Sequence, residues 1–297
     1  MTRRTAAIAA IAAACAFAVL APAAAFAYWS VSAQTTVAAS SRTFAVTAPG
    51  ATAVSFFGRT GTQYAAVSMA NSGTTPWASV AVATAPGTNS LGSGATATVQ
   101  ITSAASASTC ATDATYSGVT AQNLLAAASA TLSTNLPAPG ATTYACLKIV
   151  VAGVVASTAS GAAPPSPAAA ATLTLTPAQQ NWSTSQSASL TATSTGWMSC
   201  LTNPGILNVA AQSATVTYTA PVSGTYTFTL DTGATSTATG VPAGTATRTI
   251  TNALLGGSAG DHYVTVSYTA GSTTVYVGIA HLTYVSVLGL GLGVQCT

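Results

Sequence analysis

Chemistry in a protein needs groups that take up, release or hold charge, and this chain has few of them. It has no glutamate, three aspartates (Asp113, Asp231 and Asp261), two histidines (His262 and His281) and one lysine, Lys148. The most suggestive pair is Asp261-His262, which beside one of the many serines would supply the Ser-His-Asp arrangement of a secreted hydrolase. Adjacent residues on a strand point to opposite faces, so Asp261 is poorly placed to orient His262. The pair reads instead as a polar turn entering a strand that starts at Tyr263. His281 lies within Val277 to Val287 and reads as a hydrogen-bonded strand residue rather than a base. No catalytic residue is expected, and the chain reads as a non-enzyme.

Metal and cofactor sites fare no better. Cys200, Cys296, His262 and His281 are the candidate zinc set, but no Cys-x-x-Cys or His-x-x-x-His spacing supports it. Three scattered aspartates make no calcium loop, and no Gly-x-x-x-x-Gly-Lys run is present to cradle phosphate. No metal or cofactor is expected. The aromatic residues remain: Trp77, Trp182 and Trp197, with the tyrosines, are candidates for stacking on sugar rings. Trp182 and Trp197 also flank Cys200, where a large aromatic would pack on a disulfide.

Composition narrows the field. Charged residues make up 3% of the 297 and hydrophobic ones 49%, which excludes a charge-swollen disordered chain and a Glu/Lys coiled coil. It also excludes a nucleic-acid binder, which would need clustered Lys and Arg to neutralise phosphates. Beyond Ala27, Arg42, Arg59, Lys148 and Arg248 face the three aspartates, leaving a net charge of +1.

The first residues address the chain. Arg3 and Arg4 precede an uncharged, Ala-rich run from Thr5 to Ala25, and Ala25-Phe26-Ala27 is a small-x-small cleavage site, so residues 1–27 read as a secretory signal. Its removal would leave no membrane segment and an even set of four cysteines, the usual mark of disulfides in an exported protein. From Ala156 to Ala171 the chain has no large side chain and three prolines in four positions (Pro164, Pro165 and Pro167), the composition of a semi-stiff spacer. A boundary there selects Cys110 with Cys146 and Cys200 with Cys296, one bridge in each lobe. Closing loops of these lengths is worth at most about 3.8 and 4.7 kcal/mol in the chain-entropy picture.

Both lobes alternate threonine with apolar residues between Gly, Pro, Asn and Ser clusters, the pattern of half-buried strands. Thr225 to Leu230 puts Tyr226, Phe228 and Leu230 on one face. Tyr263 to Tyr268 repeats the pattern, and Ala270-Gly271-Ser272 predicts a hairpin into Thr274 to Ile279. Ala121 to Leu132 is the one helix-compatible stretch. The expected architecture is all-β, with two immunoglobulin-like β-sandwich domains: residues 28–155, a linker over 156–171, and residues 172–297.

The aromatic pair Tyr28-Trp29 just after the signal resembles the export signals of the SipW-type peptidase, which serves the TasA and camelysin type of secreted, fibre-building β-sandwich protein. Ala66 to Pro76, with Asn71-Ser72-Gly73, resembles their Asn-x-Gly strand and turn, and Leu91 to Gly94 before Ala95 to Ile101 resembles a later one. The likeness spans residues 1 to about 155. It departs in lacking an acidic residue after the aromatic pair and in carrying a cysteine pair. Camelysin-type proteins have been classed as metalloproteases, but this chain has no His-Glu-x-x-His. In the second lobe, Pro221 to Tyr226 resembles the bacterial immunoglobulin-like repeat, which implies a fold only.

Together these readings imply a non-enzymatic structural protein, secreted to the cell surface or a biofilm-type matrix as a fibre or surface-layer subunit. Its partner would be a second copy, joined when the strand from Tyr28 to Val46 completes a neighbour's sheet. The alternative is an adhesive module that binds surface glycans.

Overall fold

A computed structural model describes residues 43–47, 49–157, 160–204, 212–251, 253–254, 259–287 and 290–297. The expected signal, Tyr28, Trp29 and the expected exchange strand as far as Arg42 lie outside the described residues. In chain order the strands of the first half are β1 (Thr52–Phe57), β2 (Gly61–Ala70), β3 (Ser79–Asn89), β4 (Thr96–Ala104), β5 (Gln122–Asn123), β6 (Ala128–Leu132) and β7 (Thr142–Ala152). Next come β8 (Ala168–Gln179), β9 (Trp182–Ser183), β10 (Gln186–Thr195), β11 (Ser199–Asn203) and β12 (Ser213–Ala220). The last are β13 (Gly224–Leu230), β14 (Thr235–Val241), β15 (Gly244–Ile250), β16 (Gly260–Ala270), β17 (Thr273–Val287) and β18 (Leu290–Cys296). The only helical elements among the described residues are two short 3-10 turns, Thr109–Ala111 and Asp113–Tyr116. The helix-compatible stretch Ala121 to Leu132 is extended, because pairing of β5 with β4 and of β6 with β3 outweighs the weak helix preference of its alanines.

The all-β expectation holds, and the strands form sandwiches because every second side chain is apolar. One sheet runs β2-β7-β4-β5 and shares a core with a second, ordered β1-β10-β8-β3-β6, from which β9 hangs on β8. Val67, Ile101 and Leu147 from the first sheet meet Val82, Leu175 and Leu190 from the second. A second core lies between β11-β12-β15 and β14-β13-β16-β17-β18, centred on Tyr226 and Phe228, both fully buried. The Tyr218 ring sits 5.5 Å from Phe228, nearly edge-on, and 5.6 Å from Tyr226.

The expected linker is corrected. Ala168 to Ala171 begin β8, and β8 pairs with β3 on one side and β10 on the other, so residues assigned by sequence to the second lobe complete the first sandwich. Ala169, Ala171, Leu173, Leu175, Leu190 and Ala192 all lie in the first core. The two cores therefore part near Gly196 to Met198 rather than at Ala156 to Ala171. The physical reason is that alternating alanine can face a core where sheets approach closely, and so an Ala-rich run need not be a spacer. The segment before it is anchored too: the Gly161 N–H donates to the Cys200 carbonyl, and the Ser194 N–H donates to the Pro167 carbonyl.

Both expected disulfides are present, Cys110–Cys146 and Cys200–Cys296. The first staples the 3-10 segment over the outer face of β7, where Cys146, Cys110, Ala104 and Tyr116 make a third, small core. The second ties β11 to β18, joining the two sheets of the second sandwich. Asn71, in the turn after β2, is buried; its amide donates to the Thr75 carbonyl and its side-chain oxygen accepts from the Gly73 N–H, which fixes the Asn-x-Gly turn. The end of the expected exchange strand is used within its own chain. Thr47 bridges Ala70, Val46 is buried in the first core, and the Thr43 carbonyl accepts from the N–H groups of Thr74 and Thr75.

The position of the boundary is testable. A fragment of residues 42–155 is expected to remain unfolded, because it lacks β8 and β10, whereas residues 42–198 give the dispersed amide spectrum of a folded sandwich. A folded 42–155 fragment would return the boundary to the proline run.

Candidate functional site

The described residues hold eight Asp, Arg, Lys and His side chains, and five of them (Arg59, Asp231, Asp261, His262 and His281) gather around Tyr263 on the β16–β17 hairpin. The strand period explains how. β16 turns His262, Val264 and Val266 into the second core, and Asp261 and Tyr263 to the opposite face, where Tyr263 and Ile279 join the first core. Cross-strand register sets Tyr263 against His281 and Asp261 against Thr283. The tempting sequence pair Asp261-His262 is thus split between two faces, and it is His281 rather than His262 that lies near Asp261. His262 Nδ1 lies 3.1 Å from Asp231 Oδ1, at the end of β13. His281 donates from Nδ1 to the Ala156 carbonyl at 3.1 Å, and its Nε2 lies 3.5 Å from Asp261 Oδ1 without making a hydrogen bond. Asp261 itself accepts from the Thr283 hydroxyl at 2.8 Å.

Tyr263 is the centre of a stack. The His281 ring lies nearly parallel to it, 4.8 Å between centroids, and the Arg59 guanidinium sits 3.7 Å from its centroid, a cation–π contact. Trp197 meets Tyr263 edge-on at 6.4 Å. The chain reaches Trp197 through Gly196, whose positive φ and contact with the Phe57 ring leave no room for a side chain. Backbone bonds then lock the segment to β17: the Ile279 N–H donates to the Gly196 carbonyl and the Met198 N–H to the Ile279 carbonyl. Buried Ser194 relays the contact, accepting from Trp197 Nε1 at 2.7 Å and donating to the Gly58 carbonyl at 2.6 Å.

Beside this stack opens a cleft of about 300 Å³ between the β1–β2 turn and strands β13, β16 and β17. Arg59, Asp231 and Thr265 supply its polar wall; Phe57, Tyr263 and Tyr276 supply apolar faces. Arg59 is held by its Nε–H, which donates to the Val154 carbonyl, and Asp231 by His262. Tyr276 is 60% exposed and its ring lies 5.7 Å from that of Phe57. Such a wall can donate and accept hydrogen bonds beside flat hydrocarbon surfaces. Among the described residues no group of three metal-ligating side chains occurs, and Cys200 and Cys296 are bonded to each other.

Compared with known proteins, the chain matches no protein-family model and no curated protein.

Burial divides the three candidate tryptophans. Trp77 and Trp197 are buried at 6% and 5% exposure, so neither can stack on a sugar. Trp182, on β9, is exposed at 39% rather than packed on a disulfide, and Trp197 packs on Tyr263 instead of on Cys200. Sequence reading missed Phe57, Arg59, Asp231 and Tyr276 as a group. They come from the end of β1, the β1–β2 turn, the end of β13 and β17, with no shared motif, and only the hairpin alternation around Tyr263 hinted that something besides the second core lay on that face.

Burial pushes the phenols of Tyr116, Tyr218 and Tyr263 above the ordinary tyrosine value of 10.0, in Tyr263 against the opposing pull of Arg59. On the outer face of β7, hydrogen bonding to Lys148 first and to Tyr64 second lowers the Asp113 carboxyl, and hydrogen bonding to Asp113 raises Lys148 and Tyr64. A raised pKa stabilises the fold fully below the unfolded value and loses that contribution as pH climbs through the folded one. The melting temperature is therefore expected to fall above about pH 10, in step with phenolate absorbance. Its acid limb should be shallow, since Asp113 is exposed and its contribution, lost as pH falls through its lowered value, is screened by water. A steep acid limb with a flat alkaline one would contradict this.

Proposed function

We propose that the protein is a non-enzymatic, secreted structural subunit of a cell-surface layer, fibre or biofilm-type matrix, built by strand addition between copies. The observation that carries this reading is the character of the sheet edges. Of the outermost strands β1, β6, β2, β5, β11, β15, β14 and β18, Arg248 on β15 is the one charged residue, and none contains proline. Proteins that remain apart commonly guard their edges with lysine, proline or inward charges. β14 is the edge best suited to take a strand: Thr235, Thr237 and Thr239 are exposed, and its one pairing partner is β13. Two disulfides fit an oxidising compartment outside the cytoplasm, and the N-terminal run reads as the signal that would take the chain there. The likeness to the TasA and camelysin type, with its turn at Asn71, agrees with this role. Among the described residues no helix is long and apolar enough to cross a membrane.

Since Thr47 is bridged to Ala70 of β2 and Thr43 is bonded to Thr74 and Thr75 in the loop after it, the donated strand is the stretch before them, Tyr28 to Ser41. Electron microscopy of the protein starting at Tyr28 is expected to show filaments or sheets. A version starting at Arg42 should stay monomeric with an unchanged melting temperature, and Thr237→Lys, which charges β14, should suppress assembly in the full-length protein. Dispersed particles from the parent would overturn the structural reading, and polymers unaffected by both changes would remove strand addition as its mechanism.

A further inference from the structure

We propose that the cleft beside Tyr263 is a binding site for one neutral sugar ring, with Tyr276 as its stacking platform and Arg59 and Asp231 as its hydrogen-bonding pair. Four observations lead there. Among the described residues Tyr276 is the most exposed of the large apolar side chains, at 60% against 51% for Leu201, 46% for Val222 and 39% for Trp182, and it lines the cleft. A tyrosine set this way, braced by Phe57 at 5.7 Å, offers a flat hydrocarbon face at little cost in conformational freedom.

The polar wall is fixed before any ligand arrives. Arg59 is clamped between the Val154 carbonyl and the Tyr263 ring; Asp231 is clamped by His262 Nδ1, and its own backbone N–H donates to the Tyr263 carbonyl at 3.0 Å. Fixed groups of this kind lower the ordering cost of binding.

The charges select the ligand class. One guanidinium and one carboxylate line the cleft, so an anion would meet Asp231 and a cation Arg59 without net attraction. A neutral polyol satisfies both, accepting from the guanidinium and donating to the carboxylate through neighbouring hydroxyls while its C–H face covers the tyrosine. Size agrees: about 300 Å³ is at the small end of ligand sites, which span roughly 300 to 1,000 Å³, and suits a single ring rather than an extended chain.

The cleft's lining residues run from Phe57 to Ile279, outside the segment 28–41 proposed as the donated strand, so sugar binding and polymer formation can fail separately. The test is isothermal titration of the full secreted chain with glucose, galactose, mannose, N-acetylglucosamine and the β-1,4-linked disaccharides of glucose and N-acetylglucosamine. At least one is expected to bind saturably at millimolar concentration. Tyr276→Ala should weaken that binding about tenfold or more, whereas Tyr276→Phe, which keeps the face, should retain it. Trp182→Ala, at an exposed aromatic outside the cleft, should leave it unchanged. Tyr276 is on the surface, so loss of fold does not confound the reading, and the melting temperature of each variant checks this. No saturable binding to any sugar in the panel would overturn the proposal, as would affinity that survives Tyr276→Ala or is lost with Trp182→Ala.

Discussion

The β16–β17 hairpin is buried on both faces through its middle, around Tyr263, Val264, Ile279 and Ala280, and the order of the rest follows from that. A strand with one wet face reads as alternating apolar and polar residues, but here both alternations are claimed: Val264, Val266, Ala280 and Leu282 belong to the second core, and Tyr263 and Ile279 to the first. Polar groups carried into such a position have to be matched, because an unpaired buried donor or acceptor costs about 1 to 3 kcal/mol. His262 is matched in that way by Asp231 and His281 Nδ1 by the Ala156 carbonyl, while His281 Nε2 makes no hydrogen bond and has only Asp261 Oδ1 nearby, at 3.5 Å. Ring stacking and the Arg59 contact then fill the space between the two sandwiches with flat groups, a filling that tolerates polar edges better than aliphatic packing does.

A shared hairpin also explains why most of the few charged and titratable groups among the described residues collect in one place. Elsewhere the sheets are stabilised by small apolar residues inside and hydroxyls outside, which need no ionic partner. Where two cores abut, the chain has to turn, cross and turn back, through Gly58-Arg59 at one side and Gly196 to Met198 at the other. Backbone carbonyls are left there without ladder partners, and side-chain donors take them up: Arg59 caps Val154, Ser194 caps Gly58, and His281 caps Ala156. The site's polar groups are first of all a repair of the junction. That the same groups leave a cleft with a donor, an acceptor and an aromatic face is a consequence of where the repair was needed.

Strand chemistry was legible in the sequence to the extent that periodicity carries it. β13, with Tyr226, Phe228 and Leu230 inward, and the hairpin turning at Gly271-Ser272 were plain, since large apolar residues at every second position admit few other readings. The cysteine pairing was also legible, because each pair falls within one lobe whether the boundary is set at the proline run or near Gly196. The start of β8 was not legible, because Ala168 to Ala171 have the composition of a spacer and acquire strand character only by pairing with β10 and with β3, the latter distant in sequence. The cleft was invisible for the same reason in stronger form: Phe57 and Tyr276 meet across more than two hundred residues of chain, and nothing local to either marks a ligand.

The scarcity of charge bears on assembly as well as on the site. Soluble monomers commonly blunt exposed strand edges with charge, and this fold does so at Arg248 on β15, whose guanidinium donates to Ser236 on β14 across the corner of the second sandwich. That bond keeps β14 and β15 from splaying but leaves the outer edge of β14 with threonine hydroxyls and bare backbone groups. A threonine edge is well hydrated, so it does not collapse on apolar surfaces indiscriminately, yet its unpaired N–H and C=O groups are complete only when another strand lies beside them. On the opposite side of the same sandwich the disulfide Cys200–Cys296 and the bridge of Gln212 to Gly293 close β11 and β18 against addition. One edge is sealed and the other is open, which makes any strand-mediated contact between copies directional, and a directional contact between unlike surfaces propagates into a filament or layer unless its rotation closes a ring.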